Sequence, residues 1–203
     1  MRHFLPVQPS GQYSVAQFES DMNQALPAGN HLFYSLGQAS ADAFLEQFDK
    51  PNDAIAFLGN SLNYNFSGGV QSIGLCLASE CLEKIAIAND PSYPQVSVAG
   101  LATSMVDGYL LAQKSKVVFV GSGDDGALVQ ELWGISASTP HQALIVPASP
   151  GASLQQAAQV WVAIAQGLGA GQTVEDAVAN ADAQLGTAWT VVGDGTVRVK
   201  AVQ

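Results

Sequence analysis

Three short runs constrain this chain more than anything else in it: "AIAFLG" (54–59), "VVFVG" (117–121) and "ALIVP" (143–147). Each is apolar throughout, with no polar residue at alternate positions, and each stops at Gly59, Gly121 or Pro147. A strand with one face in water alternates, so an unbroken apolar strand must be covered on both faces. Such strands belong to parallel sheets, whose crossover connections lay helices over the sheet.

The segments between the runs supply those helices. "HFLPV" (3–7) offers a further strand, and Ser14 with Gln17 opens a helix through Leu26. "HLFYSL" (31–36) reads as a strand. "SADAFLEQF" (40–48) carries Ala41, Phe44, Leu45 and Phe48 at helical spacing. Ser153 and Gln156 make a capping-box pattern before Leu154, Ala157, Trp161, Ile164 and Leu168. Thr173 and Asp176 do the same before Val174, Ala177, Val178, Ala181 and Leu185. "AWTVVGDGTVRVKAV" (188–202) closes the chain with two β-rich runs around Gly193-Asp194-Gly195.

This alternation predicts an α/β fold in three layers: a mostly parallel sheet of about six strands with helices on both faces. The 203 residues contain no Gly/Ser/Pro-rich linker long enough to divide them, so residues 1–203 are expected to form one domain. Residues 62–100, rich in Asn, Ser, Gly and Pro, fit either a helix with an extra strand or a loop-rich insertion.

Charge narrows the function. Seven Lys and Arg stand against 17 Asp and Glu, a net charge of −10. Nucleic acid and anionic membranes need clustered basic residues, so neither is an expected partner. No apolar run approaches the roughly 20 residues that span a bilayer. The apolar stretch in "MRHFLPVQPSGQYS" is too short for a secretory signal. Cys76 and Cys81, in "CLASEC", lack zinc-ligand company and are expected to be buried small hydrophobes in a cytoplasmic chain.

Ligands of open parallel sheets bind beyond the carboxyl ends of the strands. Two turns with chemistry follow such ends: Gly59-Asn60-Ser61 and "GSGDDG" (121–126). Asp124 and Asp125, with Asp194, could hold Mg²⁺ or Ca²⁺, but an Asp before "ALVQELW" suits a helix N-terminus, and capping is expected. The glycines there lack the Lys of a phosphate loop. No metal or other cofactor is expected. Trp133, Trp161 and Trp189 are expected in the core. "NYNFSGG" (63–69), with Tyr64 and Phe66, reads as an exposed loop beside Asn60, serving either recognition or ordinary surface. His31 and His141 stand at strand starts, away from the crevice, and His3 lies near a terminus expected to be mobile; all three are expected to be surface or structural.

The order of "FLGNS", "VVFVGSGDDG", "QALIVP", "AAQVWVAIAQGLGAGQTVEDAVANA" and "WTVVGDGTVRV" resembles the caspase-like cysteine peptidase fold, including its bacterial CHAT and gingipain-type relatives. The resemblance covers roughly residues 28–200. It implies a catalytic His in the first turn and a catalytic Cys in the second. Asn60 stands where the His would be, and Ser122 or Gly123 near where the Cys would be. Asn takes no proton near neutral pH, and a serine without a base is a poor nucleophile. The resemblance therefore implies the fold without the activity: a degenerate domain that binds a protein or peptide partner through Asn60, Ser61, Tyr64, Ser122, Asp124 and Asp125, or serves as an accessory module.

"FLGNSLN" also resembles the Gly-Asp-Ser-Leu turn of SGNH esterases. That resemblance implies Ser61 as nucleophile, with Gly100 and Gly123 at oxyanion-hole positions. It lacks the required late His, since none follows His141.

Overall fold

A computed structural model of the chain describes residues 1–27, 29–48, 50–65, 70–78, 81–87, 114–121 and 135–199. Strand β1 (Arg2–Leu5) leads to α1 (Val15–Ala25), β2 (Leu32–Ser35), a 3-10 turn at Leu36–Gln38, α2 (Ala41–Phe48) and β3 (Ala54–Phe57). Three strands follow: β4 (Ser61–Asn65), β5 (Val70–Cys76) and β6 (Cys81–Ile87). Then come β7 (Val117–Val120), β8 (Ala143–Pro147), α3 (Leu154–Gly169), α4 (Val174–Leu185) and β9 (Trp189–Gly193).

The main sheet has six strands in the order β2-β1-β3-β7-β8-β9. All neighbours are parallel except β8 and β9. The unbroken apolar runs now have their reason. In β3, Ala54 and Ala56 face one core cluster while Ile55 and Phe57 face the other. In β7, Val117 and Phe119 divide from Val118 and Val120 in the same way. Phe18 and Met22 of α1, Trp161 and Ile164 of α3, and Val174 and Val178 of α4 cover the first face. Ala41 and Phe44 of α2 cover the second, together with Leu75 and Leu77 at the end of β5. The fold is the three-layer α/β arrangement, and its sheet is mostly parallel.

The helix starts form as their caps direct. The amides of Gln17, Gln156 and Asp176 donate to Oγ of Ser14, Oγ of Ser153 and Oγ1 of Thr173, each across 3.1 Å. Thr173 also donates to Asp176 Oδ2 at 2.7 Å, so that cap is doubly tied. Helix α4 stops at Gly186, whose φ of 64° places it in the left-handed region that glycine tolerates. Helices α3 and α4 form a hairpin, which returns the chain to the edge where β8 ended. Strand β9 must then run back against β8, and Trp189 pairs with Pro147.

Three expectations are corrected. The described part of the second β-rich run, residues 196–199, is no strand: the carbonyls of Gly195 and Val197 accept from the amides of Glu175 and Val174. They thereby satisfy first-turn donors of α4 that no intrahelical partner can reach. Of the region 62–100, residues 62–65, 70–76 and 81–87 form neither a helix nor an irregular insertion but belong to a three-stranded antiparallel sheet, β4-β5-β6, and 66–69, 79–80 and 88–100 lie outside the described residues. And β1 is no mobile terminus: it lies between β2 and β3, with His3 fully buried.

Candidate functional site

The carboxyl edge of the sheet is assembled from strand ends in register. Ala54 to Phe57 of β3 pair with Val117 to Val120 of β7. Beyond the strands the ladder continues: the Gly121 amide donates to the Phe57 carbonyl at 2.7 Å, and the Leu58 amide to the Phe4 carbonyl at 2.8 Å. Gly59 and Gly121 therefore stand at neighbouring strand ends.

Both glycines are set by crowding. A Cβ on Gly121 would lie 2.6 Å from Leu58 Cδ2 and 2.8 Å from Ala157 Cβ. A Cβ on Gly59 would lie 2.7 Å from the Pro6 ring and 2.8 Å from the Phe57 ring. No ordinary side chain fits at such distances. The loop after β1 and the start of α3 thus press against the same edge.

Asn60 is exposed at this edge, and its carbonyl accepts from the Cys76 amide at 2.9 Å. Strand β5 therefore anchors the turn by backbone, leaving the Asn60 side chain outward. Ser61 is the first residue of β4, opposite Leu75, and Tyr64 is opposite Ser72. Residues 63–65 are thus strand, not loop; Asn-rich strands carry little β-propensity signal. Ser122, Gly123, Asp124 and Asp125 lie outside the described residues, as do Phe66, Gly100 and Trp133. Asp194 is at the opposite edge, beside Gln142. Its Oδ1 accepts from the Thr196 amide and hydroxyl, and its Oδ2 from the His141 amide. Those bonds hold its carboxyl below the usual carboxylate range, the Thr196 hydroxyl first. It serves its own turn rather than a metal shared with the carboxyl edge.

Cys76 is half-buried and disulfide-bonded, which corrects its reading as a small buried hydrophobe. The chain has one other cysteine, Cys81, and the β5-β6 register sets it directly opposite. Cross-strand register, invisible in "CLASEC", decides the pairing. The clasp lies beside Leu75 and Leu77, which are buried against the main sheet, and the Ala78 amide donates to Ala39 O at 2.9 Å.

A cavity of about 250 Å³ opens at the same edge, beyond β8, lined by Pro147, Ser149, Gly151, Gln156, Thr187 and Trp189. Its walls carry no charge. Sequence reasoning missed it because it forms where the loops after β8 and α4 meet. A larger cleft of about 480 Å³ lies between α4 and β9, with Glu175 and Asp182 on its wall. Asp182 is already engaged, accepting from the Thr187 hydroxyl at 2.7 Å and the Trp189 amide at 3.0 Å.

The chain's three histidines are all placed, and none is at the carboxyl edge. His3 lies within β1 on the face covered by α1 and α3, and burial holds its pKa well below the ordinary value. His31 precedes β2 at the amino edge, also lowered by burial. His141 is 93% exposed at the same edge, 3.9 Å from Asp194. Asn60 and Gly121 thus have no imidazole beside them to act as base. Among the described residues there is no cluster of metal-ligating side chains. Among them, too, no helix is long and apolar enough to cross a membrane. No protein-family model matches the chain, and no curated protein matches it significantly.

Proposed function

We propose that this chain is a catalytically degenerate relative of the caspase-like peptidases that binds a protein or peptide partner along the carboxyl edge of its sheet. One observation carries the reading. The two strands to which the resemblance assigns the catalytic His and Cys, β3 and β7, are adjacent, parallel and in register, yet the residue after Gly59 is Asn60 and every histidine is elsewhere. The edge sets these two strand ends side by side, with no histidine there to activate a nucleophile.

The uncharged cavity beyond β8 supports a peptide side chain as part of what is bound, and the exposed Asn60 amide supplies both donor and acceptor for a partner's backbone. The disulfide at Cys76 supports an oxidising setting over the cytoplasmic one expected from the sequence, because reducing compartments keep thiols free.

The test pairs activity-based labelling with peptide binding. Fluorophosphonate and thiol-directed probes are expected to leave the protein unlabelled. A library of extended peptides is expected to yield binders that shift the amide resonances of 58–60, 121 and 148–152. Stoichiometric labelling of Ser61 or Ser122 with turnover of an ester or peptide would establish a serine hydrolase instead and overturn the reading.

A further inference from the structure

We propose that Trp161, His3 and His31 form a one-way hydrogen-bond chain that ties β2 and the end of α1 to the sheet only while both imidazoles are neutral, making this corner an acid-sensitive latch. Trp161 Nε1 lies 3.1 Å from His3 Nδ1. Indole N–H only donates, so His3 Nδ1 must be bare and the proton of its neutral ring sits on Nε2. That Nε2–H faces His31 Nδ1 at 3.0 Å, so His31 Nδ1 must accept. The remaining proton of His31 is then on Nε2, 3.1 Å from the carbonyl of Leu26, which accepts it. Every polar atom of the two rings has one role, and a single pair of tautomers satisfies all three bonds. An added proton has only His3 Nδ1 or His31 Nδ1 to occupy. Either choice sets two N–H groups against each other and breaks a bond.

Packing holds the rings in this arrangement. Phe33 stacks on His3 with centroids 4.8 Å apart and on His31 at 5.8 Å, and Phe18 meets His3 edge-on at 5.7 Å. A Cβ on Gly29 would lie 2.4 Å from His31 Nε2, so the ring's seat requires glycine there.

The surrounding charges favour the neutral state. Strand β2 and helix α3 contain no charged residue, nor does β3. On α1, Glu19 accepts from Ser35, and Asp21 from Tyr13 and Gln17. Asp53, before β3, pairs with Lys116 at 2.6 Å. Near the histidines are Arg2, a cation that bonds Gln47, and the Met1 amino group, which donates to the Asn30 carbonyl at 2.6 Å. Burial lowers the pKa of that amino group to about 6, so it gains its charge over the same acid range and opposes a further proton on the rings. Burial is the leading cause of the lowered pKa of each ring. His31 is the more exposed and takes the proton first. Since the folded values are depressed, the latch is complete above the ordinary histidine value of about 6.5 and is lost as pH falls through the folded one. His31 immediately precedes β2, which among the described residues pairs only with β1, and Leu26 caps α1. Acid therefore frees this corner while the central strands stay closed.

Imidazole nitrogen NMR and amide hydrogen exchange on the intact chain test it. At pH 7.5 both His3 and His31 are expected as Nε2–H tautomers; an Nδ1–H tautomer on either would overturn the chain of donors without recourse to any variant. Between pH 7.5 and 5.0, after correction for intrinsic rates, exchange at residues 32–35 is expected to rise at least about fivefold, because the open corner binds a proton more tightly than the latched one. Strands β7 and β8 are expected to hold their protection. His31→Gln removes the titrating ring and is expected to abolish the rise. The same acid response in that variant, or none in the parent, would overturn the latch.

Discussion

The amide of Gly121 donates to the carbonyl of Phe57 across 2.7 Å, and that bond sets the end of β7 beside the end of β3. Everything proposed for this edge depends on that adjacency, so it is the first relationship to perturb. Gly121→Ala would drive a methyl into Leu58 and Ala157. Overpacking of this kind costs about 1–3 kcal/mol. Urea unfolding of the variant should show a loss in that range; an unchanged midpoint would mean that the turn is not held so closely.

Asn60 makes the opposite prediction. It meets Cys76 through its carbonyl, and its side chain is exposed. Asn60→Ala should alter stability by less than about 0.5 kcal/mol, as for other exposed positions. The same substitution should weaken any peptide that binds the carboxyl edge. Isothermal titration reads that loss, and an unchanged affinity would remove Asn60 from the binding surface.

Installing a His–Cys pair at these two turns tests the degenerate-site reading directly. A His beside a thiol lowers the thiol pKa and raises its thiolate fraction. The pair Asn60→His with Ser122→Cys should therefore react with iodoacetamide near neutral pH at least about tenfold faster than Ser122→Cys alone, the change expected when a thiol pKa falls from about 8.5 to about 7. Equal rates would place the two turns too far apart to have formed a dyad.

The cysteines give a chemical count. Thiol titration of the denatured, unreduced chain should find no free cysteine. Reduction opens the short loop between Cys76 and Cys81, and the chain-entropy relation puts the cost at about 2 kcal/mol. A reduced protein as stable as the oxidised one would show that the clasp contributes nothing to folding.

Alkaline pH has its own signature. Tyr13 is buried and donates to Asp21 Oδ2 at 2.7 Å; burial first, then that bond, pushes its phenol pKa well above the ordinary range. The folded value is raised, so its contribution is complete below the unfolded value of about 10 and is lost as pH rises beyond it. Stability should fall above that pH, and Tyr13→Phe should flatten the fall. An equally steep fall in the variant would assign it to other groups.

Much of the fold was legible in local sequence. The central strands β3, β7 and β8 announced themselves as apolar runs because each is covered on both faces. The helix starts were legible because a cap is a contact between residues three apart, as in Ser14–Gln17, Ser153–Gln156 and Thr173–Asp176. The Asn60 turn was legible as a strand end carrying polar residues.

What escaped depends on partners distant in the chain. Strands β4 to β6 gain their stability from one another, so their mixed, Asn-rich sequence carries no local signature. The run 195–199 has strand composition, yet its carbonyls serve α4. The cysteines look unrelated until antiparallel register sets them opposite. His3 is the clearest case: its neighbours in sequence say nothing of Trp161, 158 positions away, which fixes its tautomer. By itself, then, the sequence determined the α/β class, the strand ends and the absence of a histidine at Asn60, because burial patterns, caps and residue identity are local. Only the tertiary structure decided which strand ends meet, which cysteine faces which, and which histidines hydrogen-bond to each other, because those are set by register and packing across the whole sheet.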